Sequence, residues 1–323
     1  MRLLSYVSEI GGLRRGTSRR PRTLTHTVSF LCNARCVMCD SWRLPKQDEL
    51  TLDDIDRIYA QIPDLDAVRL TGGEPFVRKD MTEITGLAIE HLRPRFVHVT
   101  TNGFLTDRIL GFVEARDRTV PLHVLVSLDG VGEKHDEIRG VPRSYERAIE
   151  TVRELAKRRA PLNLRVAVNQ TVVDAEGARH YRPLREELRS LGVQNHLVVA
   201  YKESATYSLE RDLERSVDGA NSYETYGAFS TAEIEMLLDQ AEADLAELER
   251  PERLAKGYYL KGLRRRLLGE DGPKGPSCVA LHAHLRLFPN GDVPTCQHNT
   301  KIVGNLREQS FEDVWESARA DEQ

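Results

Sequence analysis

The chain has 323 residues, a formal net charge of −4 at pH 7 and a pI near 6.2, with 40% hydrophobic and 30% charged residues. This length can bury the core of one large barrel-type domain and a smaller one. The charge gives no general attraction to nucleic acid or to an anionic membrane, so we expect neither as a partner. No apolar run reaches the ~20 residues that a membrane-spanning helix needs.

Residues 1–24 are predicted to form a separate basic and amphipathic segment. A short apolar stretch begins it, and five arginines between Arg14 and Arg22 follow that stretch, which is not the order of a secretory signal. The chain holds five cysteines, an odd number, and three of them lie within eight residues. These features argue against a disulfide framework and predict a cytoplasmic protein.

From residue 25 to residue 200, strand-like and helix-like segments alternate. The predicted strands are 25–31, 67–71, 95–101, 122–128, 163–173 and 194–200. The predicted helices between them are 52–62, 79–92, 105–116, 143–159 and 176–191. Six β–α units in series predict an α/β fold, a partial (β/α)6 TIM-type barrel with parallel strands.

Polar or glycine-rich turns follow the first four predicted strands. Cys32 follows the first strand, Gly72-Gly73-Glu74-Pro75 the second, Asn102 the third and Asp129 the fourth. The carboxyl ends of parallel strands share one rim, and barrel enzymes carry their chemistry there. We therefore expect these turns to form one site.

The remaining chain is predicted to form two further parts. Residues 201–277 form a helical connector or lid, with helical patterns near 231–249 and 251–268. Residues 278–323 form a small extension that ends in a helix near 310–318. Asn290-Gly291 between two apolar runs predicts a β-hairpin in this extension.

The three clustered cysteines, Cys32, Cys36 and Cys39, are separated by three and then two residues. Iron–sulfur clusters take cysteine ligands, and three ligands leave one iron of a four-iron cluster open. A structural zinc site is the alternative, but it needs four ligands, usually in two close pairs. A thiol redox pair is another alternative, and it would leave Cys32 without a role.

This cysteine spacing after the first strand, with Gly-Gly-Glu-Pro after the second, resembles the radical S-adenosylmethionine (SAM) superfamily over residues 25–200. The resemblance implies that Cys32, Cys36 and Cys39 are catalytic and hold a [4Fe-4S] cluster. It also implies a set of SAM contacts. These are Gly72, Gly73, Glu74 and Pro75 at the methionine end, Asn102 at the rim, Ser127 and Asp129 at the ribose, Arg139 at the carboxylate, Asn169 near the ribose or adenine, and Met38 against the adenine.

The resemblance further implies the reaction. An electron from a donor such as flavodoxin or ferredoxin enters the cluster, SAM is cleaved reductively, and the 5′-deoxyadenosyl radical abstracts a hydrogen atom from the substrate. In such enzymes the cofactors carry the chemistry, and the protein orients them and excludes water.

Cys278 and Cys296 lie in a segment that resembles the SPASM or twitch extension of some radical SAM enzymes, in truncated form. Such extensions bind auxiliary iron–sulfur clusters. Two cysteines cannot complete a four-ligand site, so His282, His284, His298 or Asp292 would have to contribute, or a substrate would bind directly. A degenerate extension without metal is the alternative.

The substrate is less defined. Enzymes with such extensions act on ribosomal peptides or on sugars and aminocyclitols. The short stretch before Cys32 leaves no room for a leader-peptide-binding domain there, so we expect a small molecule of the sugar or aminocyclitol type, oxidised or epimerised in natural-product or cofactor biosynthesis. A peptide maturase is the alternative enzyme. A non-catalytic regulatory protein that binds a cluster or zinc is the alternative of another class.

Overall fold

The computed structural model describes residues 20–202, 224–269, 280–297 and 301–320. Its strands are β1 Thr23–Thr27, β2 Ala67–Thr71, β3 Phe96–Thr101, β4 Leu122–Ser127, β5 Leu164–Val172, β6 Gln194–Val199, β7 His284–Leu287, β8 Asp292–Pro294 and β9 Ile302–Asn305. Its α-helices are α1 Leu52–Tyr59, α2 Met81–Leu92, α3 Thr106–Ala115, α4 Glu133–Arg139, α5 Ser144–Lys157, α6 Ala175–Arg179, α7 Tyr181–Ser190, α8 Thr231–Ala243, α9 Arg250–Leu268 and α10 Phe311–Ala320. None of the described helices combines the length and apolar character needed to cross a membrane.

The main sheet has seven parallel strands in the order β6-β5-β4-β3-β2-β1-β7. The first six follow the predicted β–α series, so the predicted α/β partial barrel is confirmed. The seventh strand was not predicted. It comes from the C-terminal segment and pairs in parallel with β1, with Thr23 opposite His284. Leu285 and Leu287 are fully buried there, which supplies the apolar burial that stabilises this pairing.

The two faces of the sheet differ in chemistry. Apolar residues such as Val68, Val97, Val124 and Val166 are buried in one core with residues of α1, α2, α3, α5 and α7. The alternate positions point to the other face, because successive side chains of a strand alternate. With helices on one side, the other face lines the inside of the partial barrel. The inner face carries polar side chains such as Arg69 and His98, together with the apolar Phe96 and Leu125.

Local signals explain where several helices begin. The side chain of Thr51 accepts a hydrogen bond from the N–H of Asp54 at 3.1 Å, and Asp54 accepts one in return from the N–H of Thr51. This capping box starts α1 at the predicted place. The helix predicted at 176–191 is two helices, α6 and α7. Pro183 explains the restart, because proline has no N–H to donate and is tolerated only in the first turn of a helix.

The C-terminal extension departs from its predicted hairpin. The turn at Asn290-Gly291 is present, and Gly291 adopts a φ of 95°. The strands on either side of it do not pair with each other, however. β7 joins the main sheet, whereas β8 pairs antiparallel with β9, with Asp292 opposite Asn305. The first strand of the predicted hairpin, β7, therefore pairs with the edge of β1 instead of with β8.

The helices of the predicted connector pack beside the last strand of the barrel. Leu237 and Leu238 of α8 and Leu260 and Leu263 of α9 form a second buried cluster with residues of β5, β6, α6 and α7. They extend the outer layer of helices at this end of the sheet. Of the N-terminal segment 1–24, only residues from Arg20 onward are described.

Candidate active site

The three clustered cysteines lie in one loop that follows β1. Cys36 is buried, while Cys32 and Cys39 are half-buried. Backbone N–H groups of Ala34 and Ser41 donate to the sulfurs of Cys32 and Cys39, each at 3.4 Å. We name residues 32–39 the cysteine loop.

The cysteine loop is docked on the end of α4. The N–H of Arg35 donates to the carbonyl of Arg139 at 2.8 Å, and the N–H of Val37 donates to that of Ile138 at 2.9 Å. Gly140 adopts a φ of 63°, and a β-carbon there would lie 2.5 Å from the carbonyl oxygen of Arg35. Glycine is therefore required for this close approach.

Burial controls the protonation of the thiols. It raises the pKa of Cys32 and of Cys39 to about 12 and raises the pKa of Cys36 as well, although Arg139 opposes the shift at Cys36. The thiols are therefore neutral at pH 7. Metal ligation requires thiolates, so binding of a cluster must release these protons.

Gly72 and Gly73 let the turn after β2 approach the cysteine loop. A β-carbon on Gly73 would lie 2.4 Å from the carbonyl oxygen of Leu31, and one on Gly72 would lie 2.5 Å from that of Ser29. The N–H of Gly73 donates to Ser29 and that of Glu74 donates to Leu31, each at 2.8 Å. Pro75 follows and is buried in a short 3-10 turn.

We expect Gly73→Ala to destabilise the protein by about 1–3 kcal/mol, because its methyl group would push the backbone before Cys32 away. Gly86→Ala is the matched control, since a β-carbon at Gly86 meets nothing within 4 Å. Thermal unfolding of both variants measures the difference. Equal melting temperatures for Gly73→Ala and the wild type would contradict the expectation.

The side chain of Glu74, which follows β2, forms hydrogen bonds with residues at the end of β3. It is fully buried and accepts hydrogen bonds from the hydroxyl of Thr101 and the N–H of Asn102, each at 2.7 Å, and from the N–H of Phe76 at 3.2 Å. Burial raises the pKa of Glu74 to about 7 against these hydrogen bonds. Its carboxylate thus holds the rim, and the predicted contact with the amino group of SAM stays a prediction.

Asn102 joins the same rim to the cysteine loop. Its amide donates to the side-chain oxygen of Asn33 at 2.7 Å, and its own oxygen accepts from the N–H of Phe104 at 3.0 Å. Asn33 was not singled out in the sequence. Its position between two of the clustered cysteines was the available signal.

Asp129 and Arg139 form a buried ion pair beside Cys36. Nε of Arg139 lies 2.7 Å from Oδ2 of Asp129, which is fully buried, and Nη1 of Arg139 donates to the sulfur of Cys36 at 3.6 Å. Oδ1 of Asp129 accepts from the N–H of Thr171 at 2.9 Å. Both residues were predicted to contact SAM, whereas their observed contacts are with each other, with Cys36 and with β5. Their roles toward SAM stay predictions.

Other predicted SAM contacts lie on neighbouring strands. Ser127 ends β4 and lies opposite Asn169 of β5 in the sheet register. The Asn169 amide donates to the hydroxyl of Thr171 at 3.4 Å. Met38 packs on a small apolar cluster of Ile138, Val173 and Ala200.

A tyrosine from the connector also reaches the cysteine loop. The hydroxyl of Tyr226 donates to the carbonyl of Val37 at 2.7 Å. A cavity of about 330 Å³ lies there, lined in part by Val37, Lys134, Asp174 and Tyr226. Tyr226 lies in the segment predicted to be a helical connector or lid, and no sequence pattern predicted this particular contact.

The auxiliary-cluster prediction is only partly within the described chain. Cys278 and His298 lie outside the described residues, whereas Cys296 is described and half-buried. His284 lies on β7, where its Nε2 is 2.9 Å from the hydroxyl of Thr25. Asp292 accepts hydrogen bonds from Asn290 and Asn305, and His282 lies in the turn before β7.

The profile of the radical SAM superfamily matches residues 27–179, which include the cysteine loop and the turns after β2, β3 and β4. The profile of an iron–sulfur cluster-binding domain, SPASM, matches residues 278–322. The chain belongs to the radical SAM superfamily. It is a radical SAM enzyme with a SPASM-like C-terminal extension.

Relatives of this radical SAM enzyme match most of its length. AdoMet-dependent heme synthase of Methanosarcina barkeri (strain Fusaro / DSM 804) is 26% identical, over 92% of this chain and 83% of its own. Fe-coproporphyrin III synthase of the same organism is 25% identical, over 88% of this chain and 71% of its own. The crystal structure of Streptococcus suis SuiB has a TM-score of 0.64 at 15% identity, covering 97% of this chain and 70% of SuiB, and so shares the fold.

The cofactors of this radical SAM enzyme are a [4Fe-4S] cluster and SAM. The cysteine loop fits a cluster, because it holds three thiols and no carboxylate or imidazole. Within the described ranges, no three His, Cys, Asp or Glu side chains are poised around a single metal ion. An iron–sulfur cluster takes one cysteine thiolate for each iron that the protein holds, whereas a structural zinc ion takes four ligands. Gly72 and Gly73 lack side chains, and this lets their turn lie directly against the backbone before Cys32.

Proposed function

We propose that Cys32, Cys36 and Cys39 hold the [4Fe-4S] cluster and that this radical SAM enzyme acts on a small molecule bound in its barrel. When bound, cluster and SAM together supply the 5′-deoxyadenosyl radical that abstracts a hydrogen atom from the substrate. The observation that carries the proposal is the cysteine loop, which the turn after β2, Asn102 and the end of α4 all hold in place.

The chain's own residues would orient SAM around this loop. The turn of Gly72 and Gly73 would lie along its methionine end, with Pro75 following it in a short 3-10 turn. Ser127 and Asn169 offer polar groups for the ribose, and Met38 an apolar surface for the adenine. Glu74, Asp129 and Arg139 act through their buried hydrogen bonds and ion pair, which set the rim in place.

A small molecule is the favoured substrate class. The two relatives that match most of the chain are named for the synthesis of haem and of Fe-coproporphyrin III, which are small molecules. A sugar or aminocyclitol that is oxidised or epimerised is the candidate from the sequence, and a tetrapyrrole is the candidate that these names favour. A flavodoxin or ferredoxin is the proposed electron donor.

Cleavage of SAM tests the proposal. The anaerobically reconstituted and reduced enzyme should convert SAM to 5′-deoxyadenosine and methionine, which mass spectrometry detects. The triple variant Cys32→Ala, Cys36→Ala, Cys39→Ala should form neither, and should lose about four iron atoms per chain. Ser190→Ala, which changes an exposed hydroxyl at the end of α7, is the control and should keep both properties.

The iron content of the triple variant also tests whether the C-terminal extension binds a cluster of its own. Iron left after the loss of the three cysteines would belong to the C-terminal extension with Cys278 and Cys296. SAM cleavage by the triple variant, or none by the wild type, would refute the proposed function.

A further inference from the structure

A row of basic residues crosses the inner face of the barrel. In the sheet register Thr25 lies opposite Arg69, Arg69 opposite His98, His98 opposite His123, and His123 opposite Arg165. Arg286 of β7 lies opposite Thr25 at the other end. One transverse row therefore reads Arg286, Thr25, Arg69, His98, His123, Arg165 across six adjacent strands. We name it the basic row.

The basic row lies on the face opposite the hydrophobic core. The neighbours of Arg69 along β2, Val68 and Leu70, are fully buried in that core, and so are those of His98, Val97 and Val99. Side chains alternate along a strand, so the row points into the barrel. Arg69 is exposed although it lies on an interior strand of the sheet.

The members of the row lie close enough to interact. Nε of Arg69 donates to Nδ1 of His98 at 3.0 Å. The ring of His123 stacks on Phe96, a neighbour of the row on β3, with the ring centroids 4.7 Å apart. Burial lowers the pKa of His98 to about 3, and the charge of Arg69 contributes to this shift. The positive charge of the row at neutral pH is therefore carried by the arginines, and the histidines are neutral hydrogen-bonding groups.

Two more histidines of the sheet lie near the basic row, His196 on β6 and His284 on β7. Burial lowers the pKa of His196 to about 4, with Lys256 and Arg69 contributing, and that of His284 to about 4, with Arg286 and Arg69 contributing. The charge of Arg69 thus contributes to the lowered pKa of all three histidines, His98, His196 and His284. Arg69 lies at the centre of the basic surface inside the barrel.

The charged side chains that the strands of the sheet carry are all basic. The seven strands of the described sheet contain no aspartate or glutamate. Glu252 of α9 is the carboxylate at one end of the row, 3.7 Å from Arg165. An arginine presents a planar fork of donors that matches a carboxylate or phosphate group.

We propose that the basic row binds the carboxylate or phosphate groups of an anionic substrate inside the barrel. The inference rests on the proposed function, because it concerns the substrate of the same site. Arg69 precedes Gly72 by three residues, and a strand rises about 3.3 Å per residue, so the row lies about 10 Å below the rim. A substrate anchored there by its acidic groups would present its other end to the SAM site.

Binding of simple anions to the reconstituted enzyme with SAM tests this proposal. Calorimetric titration with tricarballylate, a tricarboxylate, and with inorganic phosphate should give saturable binding of at least one. Arg69→Gln should weaken it about tenfold or more, as expected when a charged hydrogen-bonding partner is removed. Arg69→Lys, which keeps the charge without the fork, should recover part of the affinity. The tighter probe shows whether carboxylates or phosphates are preferred.

Arg153→Gln is the matched control, because it removes an arginine from the exposed surface of α5, and it should leave anion binding unchanged. Iron content confirms that each variant holds its cluster. Failure of both probes to saturate the wild type, or equal weakening by Arg69→Gln and Arg153→Gln, would overturn the inference. Failure of the proposed function is a separate result, the absence of 5′-deoxyadenosine from wild-type reactions.

Discussion

Replacing Arg139 by leucine is expected to lower the free energy of unfolding by about 3–5 kcal/mol, the cost of leaving a buried charge without its partner. Asp129 is fully buried, and its Oδ2 lies 2.7 Å from Arg139. After the change it would keep only the hydrogen bond from the N–H of Thr171. Cys36 would also lose its contact with the guanidinium, so cluster content should fall together with stability.

A double-mutant cycle isolates the ion pair. Asp129→Asn combined with Arg139→Leu removes both charges, so it should be less destabilised than Arg139→Leu alone. Arg153→Gln, at the exposed surface, should stay within about 0.5 kcal/mol of the wild type. Anaerobic urea unfolding measures five reconstituted proteins: the wild type, Asp129→Asn, Arg139→Leu, the double variant and the control Arg153→Gln. A loss under about 1 kcal/mol in Arg139→Leu would mean that the pair does not hold the cysteine loop.

Replacing Glu74 by alanine should destabilise the protein by about 3 kcal/mol and reduce SAM cleavage. The change leaves the Thr101 hydroxyl and the N–H of Asn102 buried without an acceptor, and each such group costs about 1–3 kcal/mol. Asn102 in turn donates to Asn33 in the cysteine loop, so the disturbance reaches the proposed cluster site. Glu90→Ala, at an exposed position of α2, is the control, and a similar loss in both variants would refute this role.

The effect of Glu74→Ala should depend on pH. Burial raises the pKa of Glu74 from 4.5 to about 7, so between these values the folded chain holds a proton that the unfolded chain has released. The stability that Glu74 contributes is therefore complete below about pH 4.5 and is lost as the pH rises through about 7. The variant should differ more from the wild type at pH 5 than at pH 8. Urea unfolding at the two pH values measures this, and an equal difference at pH 5 and pH 8 would show that the buried group is ionised throughout.

Much of the site geometry follows from local patterns in the sequence. Apolar β-branched runs and the cap at Thr51 place β1 to β6 and α1 within a few residues of their observed bounds. The turns after the first four strands then share a rim, because parallel strands place their carboxyl ends on one edge. The cysteine spacing and Gly72-Gly73 could be read in the same way, since both are contiguous in the chain.

Other features depend on contacts between distant segments. β7 joins β1 across more than two hundred residues, and no local pattern distinguishes that pairing from the predicted hairpin. Arg139 and Asp129 were predicted to be SAM contacts because each matched a family position. Their ion pair could not be predicted, since it depends on how α4 packs against β4 and the cysteine loop.

The sequence by itself determined the alternation of strands and helices, the cluster motif and the glycine turn, because these depend on periodicity and on neighbours in the chain. The tertiary structure decided which buried groups hold the cysteine loop and which side chains share the inside of the barrel. The basic row illustrates the difference. In the sequence its members are only polar residues between apolar ones. The parallel register of the strands places four of them side by side: Arg69, His98, His123 and Arg165.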